Sequence, residues 1–279
     1  MKDHPYVTPQ MKEQFWEDGA VLLPAALDST WMDLVQLGVE RNLRNPGPYA
    51  TTHYEGTPRA FFDDYCNYAA IPEYRMLIRE SPMVDIVAEI LDTQQMWLFY
   101  DQIFIKESTQ SQARRTPWHQ DTTYWITAGT QIAGFWITLD DTPVAQSLEF
   151  VRGSHRGPTY AGSAFDYDDE TTPFQPGDLY PRIPDIEADR ASFDIFAFPI
   201  RRGDVVMFHA GMLHGGGAAA SGSRRRTLSI RFFGEDVVYA PKPLSAPTYP
   251  GHSVGLKPGD PLRGAWFPQV LPRPEHPLW

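Results

Sequence analysis

His119-Gln120-Asp121, followed 93 positions later (214 minus 121) by His214, brings together the residue types that hold a redox metal while leaving it open. On an extended segment, residues two apart point to the same face. His119 and Asp121 can therefore share one ion, and a distant histidine can complete a two-histidine, one-carboxylate set. Such a set grips Fe(II) on one side and leaves the other free for O2 and a cosubstrate. A ferrous site needs an electron source to activate oxygen. Arg225 lies 11 residues after His214 (225 minus 214), in the strand expected next, where a guanidinium can anchor a dicarboxylate such as 2-oxoglutarate. These residues predict an oxygenase dependent on Fe(II), O2 and 2-oxoglutarate.

The donor types narrow the metal. No cysteine stands near them, which excludes thiolate zinc and iron–sulfur sites. Two imidazoles and a carboxylate also serve hydrolytic zinc, so donor count alone leaves that metal open, and Arg225 is what favours iron. Neighbouring strand residues face opposite sides, so only one of Arg225 and Arg226 points inward, and Arg224 is expected in a solvated turn. The glycines of Gly215-Gly216-Gly217 beside His214 suit close backbone approach to a ligand. His4, His53, His252 and His276 have no partner at ligand spacing.

The elements that must position these residues begin with helices. Spacing predicts a short helix from Thr8 to about Asp18 ended by Gly19, the strand Val21-Leu22-Leu23, and a helix capped by Asp28, Ser29 or Thr30 that runs to about Arg44. A further helix is expected from Ser81 to about Leu91. Short runs rich in aromatic and β-branched residues then dominate: 97–106, 131–139, 148–151, 195–197, 205–208 and 227–233. Their spacing predicts an antiparallel barrel or sandwich in a single domain, residues 1–279, with helices over about 8–95 and the β core over about 96–238. Residues 156–194 mix Tyr160, Phe165, Tyr167 and Tyr180 with acidic residues and prolines, and are expected to form a long, lid-like functional insertion. Residues 239–279 contain ten prolines and are expected to wrap the surface as extended chain, docked through Trp266, Phe267 and Trp279.

The net charge of -11 over 279 residues argues against nucleic acid or an anionic membrane surface as a partner, because the averaged field repels polyanions. The single cysteine, Cys66, excludes an intrachain disulfide and fits a reducing compartment. The polar amino terminus carries no apolar stretch of signal or spanning length. A cytoplasmic protein acting on a small molecule is the expectation; oligomeric state is not legible.

Trp118-His119-Gln120-Asp121, Gly134-Phe135-Trp136-Ile137-Thr138-Leu139-Asp140-Asp141, Glu149-Phe150-Val151-Arg152-Gly153-Ser154-His155, Gly203-Asp204-Val205-Val206-Met207-Phe208-His209 and Arg225-Arg226-Thr227-Leu228-Ser229 resemble, in order, the motifs of the phytanoyl-CoA dioxygenase family. The likeness spans about Thr8 to Pro261. It implies a double-stranded β-helix, or jelly-roll, core and the coupling of oxidative decarboxylation of 2-oxoglutarate to hydroxylation of a substrate C–H bond. By this resemblance His119, Asp121 and His214 are the iron ligands, Arg225 the carboxylate anchor, and Gln120 and Trp136 part of the cosubstrate pocket. His155 and His209 fall in family motifs as structural residues. Asp121 favours oxygen transfer over halogenation, since related halogenases lack the carboxylate. The chain departs from the family at Gln146-Ser147, where many members have Asn-Gly, and at Arg152, where many have Pro; the loop at 146–147 is expected to turn differently.

For the substrate, Tyr100, Gln102, Tyr124 and Trp125 are candidate pocket residues whose rings suit an apolar body or a quaternary ammonium. Phe104 is expected in ordinary core. Arg152, Arg156, Arg182, Arg201, Arg202 and Arg231 are possible anion contacts, expected mostly at the surface. Rival readings are a metal-dependent hydrolase or isomerase on a cupin-like barrel, which needs the triad but not Arg225, and a non-catalytic ligand-binding barrel.

Overall fold

The computed structural model describes residues 6–55, 60–107, 115–166, 168–217, 222, 224–246 and 255–274. The helices are α1 (Pro9–Asp18), α2 (Ser29–Arg44), α3 (Pro72–Glu80) and α4 (Met83–Leu91). The strands are β1 (Ala20–Leu23), β2 (Thr51–His53), β3 (Phe61–Tyr65), β4 (Met96–Glu107), β5 (Thr116–His119), β6 (Thr127–Ala128) and β7 (Ile132–Thr138). They continue with β8 (Leu148–Val151), β9 (Ile195–Ala197), β10 (Val205–His209), β11 (His214–Gly216), β12 (Arg224–Phe233), β13 (Val238–Tyr239) and β14 (Gln269–Leu271).

The larger sheet runs β1-β10-β7-β12-β4-β3-β2, with β14 beside β4, and the smaller runs β5-β11-β8-β9. Every pairing is antiparallel and the order is far from sequential, and residues of both sheets line one cavity between them. This is the jelly-roll core that the sequence implied.

Period-2 alternation divides the large sheet into two faces. Ile103 and Ile105 of β4, Leu228 and Ile230 of β12, Phe135 and Ile137 of β7 and Val205 of β10 pack against the apolar sides of the helices, among them Val35, Val39, Ile78, Val84 and Ile86. The opposite face of the same strands carries Gln102, Phe104, Lys106, Arg225, Thr227 and Ser229, which line the cavity. The helices thus brace one side of a sheet whose other side is free for chemistry.

The helix ends follow local rules. The Thr8 hydroxyl accepts from the Met11 amide (3.2 Å), Pro9 sits where its missing N–H costs nothing, and Gly19 ends α1 in the left-handed region at φ +89°. Asp28 caps α2 by accepting from the Thr30 and Trp31 amides. Parts of the expected layout need correction. The helix α3 was not anticipated, although Pro72 starts it and Tyr74, Leu77 and Ile78 fall on one buried side. Nor were β2 and β3, because Asp63 and Asp64 interrupt the apolar signal; Asp64 is buried and accepts from Asn42 and the Gly47 amide. Arg224 opens β12 rather than lying in a turn.

The insertion has more core character than its polarity suggests: Ile183 and Ile186 are buried with Trp118 and Leu213. The proline-rich segment is held by β14 and by buried Leu262 and Phe267. His4, Tyr167, His252, His276 and Trp279 lie outside the described residues. No helix among the described residues is long and apolar enough to cross a membrane.

Candidate active site

Pairing of β5 with β11 sets His214 directly opposite His119, with 4.2 Å between ring centroids. Gln120 remains extended (φ -116°, ψ 128°), so the alternation runs one residue past the end of β5. Asp121, which opens a 3-10 turn instead of continuing the strand, still faces the same side as His119. One Asp121 carboxylate oxygen lies 3.6 Å from His119 Nε2 and 3.9 Å from His214 Nε2. Among the described residues these three form the one group of buried donors able to hold a metal, all within 4.8 Å of one another. Donors about 2.1 Å from a shared ion stand roughly 3 Å apart when adjacent, so small side-chain adjustments would close the set.

The tautomers suit that role. His119 Nδ1 lies 2.8 Å from the Pro117 carbonyl and His214 Nδ1 lies 3.0 Å from the Met212 carbonyl. A carbonyl only accepts, so each Nδ1 carries the hydrogen and each Nε2 presents its lone pair to the site. Phe208 and Phe150 flank the His214 ring at 4.7 and 6.2 Å. Burial, and then the neighbouring His119, push His214 down to about 4, which keeps it a neutral donor at ordinary pH. Burial opposes the charge on Asp121, but His119, His214 and Arg231 together outweigh it and hold the carboxyl well below its usual range.

Gln120 does not line the cavity. The residue between two inward-facing neighbours points the other way, and its side chain is fully engaged: the amide donates to the carbonyls of Gly211 (2.8 Å) and Pro158 (3.2 Å), while its oxygen accepts from the Tyr160 amide (2.8 Å). The resemblance placed it in the cosubstrate pocket; here it ties the triad segment to the insertion. Trp136 does line the cavity, opposite Ser229 of β12.

The cavity holds about 600 Å³ and reaches from the triad to Arg225. Arg225 is buried and its guanidinium donates to the Gln146 and Gly217 carbonyls. Gln146 stands in the loop where the family pattern is broken, and the 3-10 turn Val144–Gln146 delivers its carbonyl. Desolvation lowers Arg225 to about 10, so it stays cationic. Arg226 points outward and forms a fork with Asp140, at 2.6 and 3.1 Å. Lys106, the cross-strand neighbour of Arg225, also lines the cavity and donates to the Thr116 hydroxyl (2.8 Å). Burial, then Arg225 and Arg115, bring its amine down to about 7.

All four expected substrate residues reach the cavity. Tyr100 accepts from the Trp125 indole (3.1 Å), Gln102 donates to Asp63 (2.9 Å), and the Tyr124 hydroxyl donates to the Ser163 carbonyl (2.7 Å). Phe104 lines the cavity too and is not plain core. His53 lies 2.6 Å from Asp63 at the same wall. From the insertion, Phe165 sets its ring 5.2 Å from His119, in the left-handed region at φ +55°. Arg231, named among possible anion contacts of which most were expected at the surface, is 5% exposed, lines the cavity and approaches the second oxygen of Asp121 at 3.7 Å. Its parity with Arg225 on one strand was the available signal. His155 and His209 stand behind the site, and His209 is fixed between the Thr130 carbonyl and the Gly211 amide.

Solved structures share this architecture. The non-heme alpha ketoglutarate dependent carbocyclase SnoK from nogalamycin biosynthesis is 24% identical over 95% of this chain and 96% of its own, with a TM-score of 0.72. The epimerase SnoN from the same biosynthesis is 20% identical over 94% and 97%, with a TM-score of 0.71. EctD from S. alaskensis, solved with 2-oxoglutarate and 5-hydroxyectoine, is 16% identical over 94% and 87%, with a TM-score of 0.68. At such identities the likeness is one of fold. No curated protein matches the chain in sequence. The sequence profile of phytanoyl-CoA dioxygenase (PhyH) matches residues 15–227, a span that holds His119, Asp121, His214 and Arg225, and the chain belongs to that family.

Proposed function

We propose that this chain is an Fe(II)- and 2-oxoglutarate-dependent dioxygenase that hydroxylates a C–H bond of a small organic substrate. The observation that carries the reading is the convergence of two imidazole Nε2 atoms and a carboxylate in the same cavity as a buried guanidinium. Bound there, iron and 2-oxoglutarate would supply O2 activation coupled to decarboxylation, with release of succinate and CO2.

The chain's own residues take defined parts. His119, Asp121 and His214 hold the metal from one side. Arg225 pairs with the distal carboxylate of 2-oxoglutarate, assisted by Lys106, and Trp136 forms a wall of that pocket. Tyr100, Gln102, Tyr124 and Trp125 meet the substrate, and Phe165 shields the metal from bulk water. The buried Arg225 favours this reading over a hydrolase, which has no use for a second carboxylate anchor.

The test is succinate release from 2-oxoglutarate by iron-loaded protein in air, screened for stimulation by candidate substrates. Product mass then identifies the reaction: hydroxylation adds one oxygen atom, cyclisation removes two hydrogens and epimerisation leaves the mass unchanged. Absence of succinate under all conditions rejects the proposal.

A further inference from the structure

We propose that Arg231 is the substrate-recognition residue of this site, and that the substrate it selects is a small monocarboxylate with an apolar body. The inference rests on the oxygenase reading above and specifies its substrate class. Arg231 is 5% exposed, and its Nε and Nη1 atoms are buried with no hydrogen-bond partner. Its guanidinium carbon lies 4.4 Å from the Tyr100 ring centre and 5.8 Å from that of Trp125, within cation–π reach of both rings.

An arginine cannot shed its charge, and a buried cation without a hydrogen-bonded counter-charge is costly. The nearest carboxylate is Asp121, whose second oxygen is 3.7 Å away and likewise lacks a hydrogen-bond donor. That carboxylate is committed to the metal when the site is loaded, which leaves the guanidinium held chiefly by stacking. An incoming carboxylate supplies the missing acceptors and sits beside the metal.

The distal carboxylate of the cosubstrate, held at Arg225, does not meet this need. Arg225 and Arg231 are six residues apart on one face of β12, roughly 20 Å between backbone positions at strand rise, so they serve different parts of the cavity. A single guanidinium matches a monoanion: the cavity's other cations are Arg225 and Lys106, neighbours at the far end, and Arg115, which is paired with Glu170 and Glu187. Tyr124, Trp125, Phe104 and Phe165 provide the apolar walls.

The test is calorimetric titration of the full chain with phenylacetate, 3-phenylpropionate and 4-phenylbutyrate, each against its primary amide. Wild-type protein is expected to bind at least one acid about tenfold or more tightly than its amide, the scale of one charge-assisted hydrogen bond. Arg231→Gln should equalise the pair, while Arg231→Lys, which keeps the charge, should retain part of the preference. Failure of every acid to exceed its amide overturns the proposal. So does a preference that survives in Arg231→Gln, which would assign the anion contact to Lys106. Reduced iron content in Arg231→Gln with an unchanged acid preference would make Arg231 a positioning residue for Asp121 only. Failure of the underlying oxygenase reading is seen separately, as absence of succinate from the wild-type protein whatever the titrations give.

Discussion

His119 and His214 face each other across a strand pair and are fixed in the same way: each Nδ1–H donates to the carbonyl two residues earlier, Pro117 or Met212. Backbone therefore orients both rings before any metal arrives, and the remaining variable is the anionic donor on the turn that follows.

Asp121→Ala removes that donor and leaves the two rings in place. Iron affinity should fall beyond the roughly 10–100-fold that loss of a supporting residue costs, and uncoupled 2-oxoglutarate turnover should vanish. Elemental analysis after desalting, with a succinate assay, checks both. Substantial turnover in this variant rejects Asp121 as a ligand.

Adjacent arginines of opposite orientation make a paired test. Arg225→Met should raise the KM for 2-oxoglutarate by about 10–100-fold, the worth of a charge-assisted contact. Arg226→Met should leave that KM within about twofold and cost about 0.5 kcal/mol of stability, because its fork with Asp140 is partly exposed. A larger KM effect at Arg226 would reverse the assignment.

The long β4 and β12 runs and the cap at Asp28 were legible because local pattern and tertiary role agree there. The short strands β5 and β11 were not: one contains Pro117, the other is His214 and two glycines, and only pairing with each other and with β8 makes them strands. His-x-Asp alone is a weak signal; its context, the later His214 with its glycines and Arg225, is what singled out the three donors that the structure brings together. Arg231 was not separated from the other possible anion contacts, because a charged residue ordinarily reads as surface. Gln120 was misplaced by carrying a family role onto a side chain whose direction alternation already determined.

His209 supplies a pH dependence outside the donor set. Burial, and then His155, lower it to about 4 from an ordinary 6.5, and its neutral form is fixed by donating to Thr130 and accepting from Gly211. The unfolded chain binds the proton more readily, so this stabilisation is complete above pH 6.5 and is lost as pH falls towards 4. The amount is roughly 3 kcal/mol. Thermal melts of metal-free protein should show a smaller loss across that window in His209→Gln than in wild type. Parallel curves would show that His209 is not the group responsible.

Lys106 gives the opposite slope in a binding constant. Its amine, brought down to about 7 chiefly by burial beside Arg225 and Arg115, is cationic below that pH and neutral above it. On the proposed role of Arg225, the cationic form would attract the dicarboxylate bound there, so the KM for 2-oxoglutarate should rise as pH increases from 7 to 9. In Lys106→Met the KM should be higher at pH 6.5 and nearly flat across the range, since Arg225, at about 10, keeps its charge until more alkaline pH. Initial rates at saturating iron resolve the two profiles. An unaltered wild-type slope in the variant would place the titrating group elsewhere and remove Lys106 from the cosubstrate pocket.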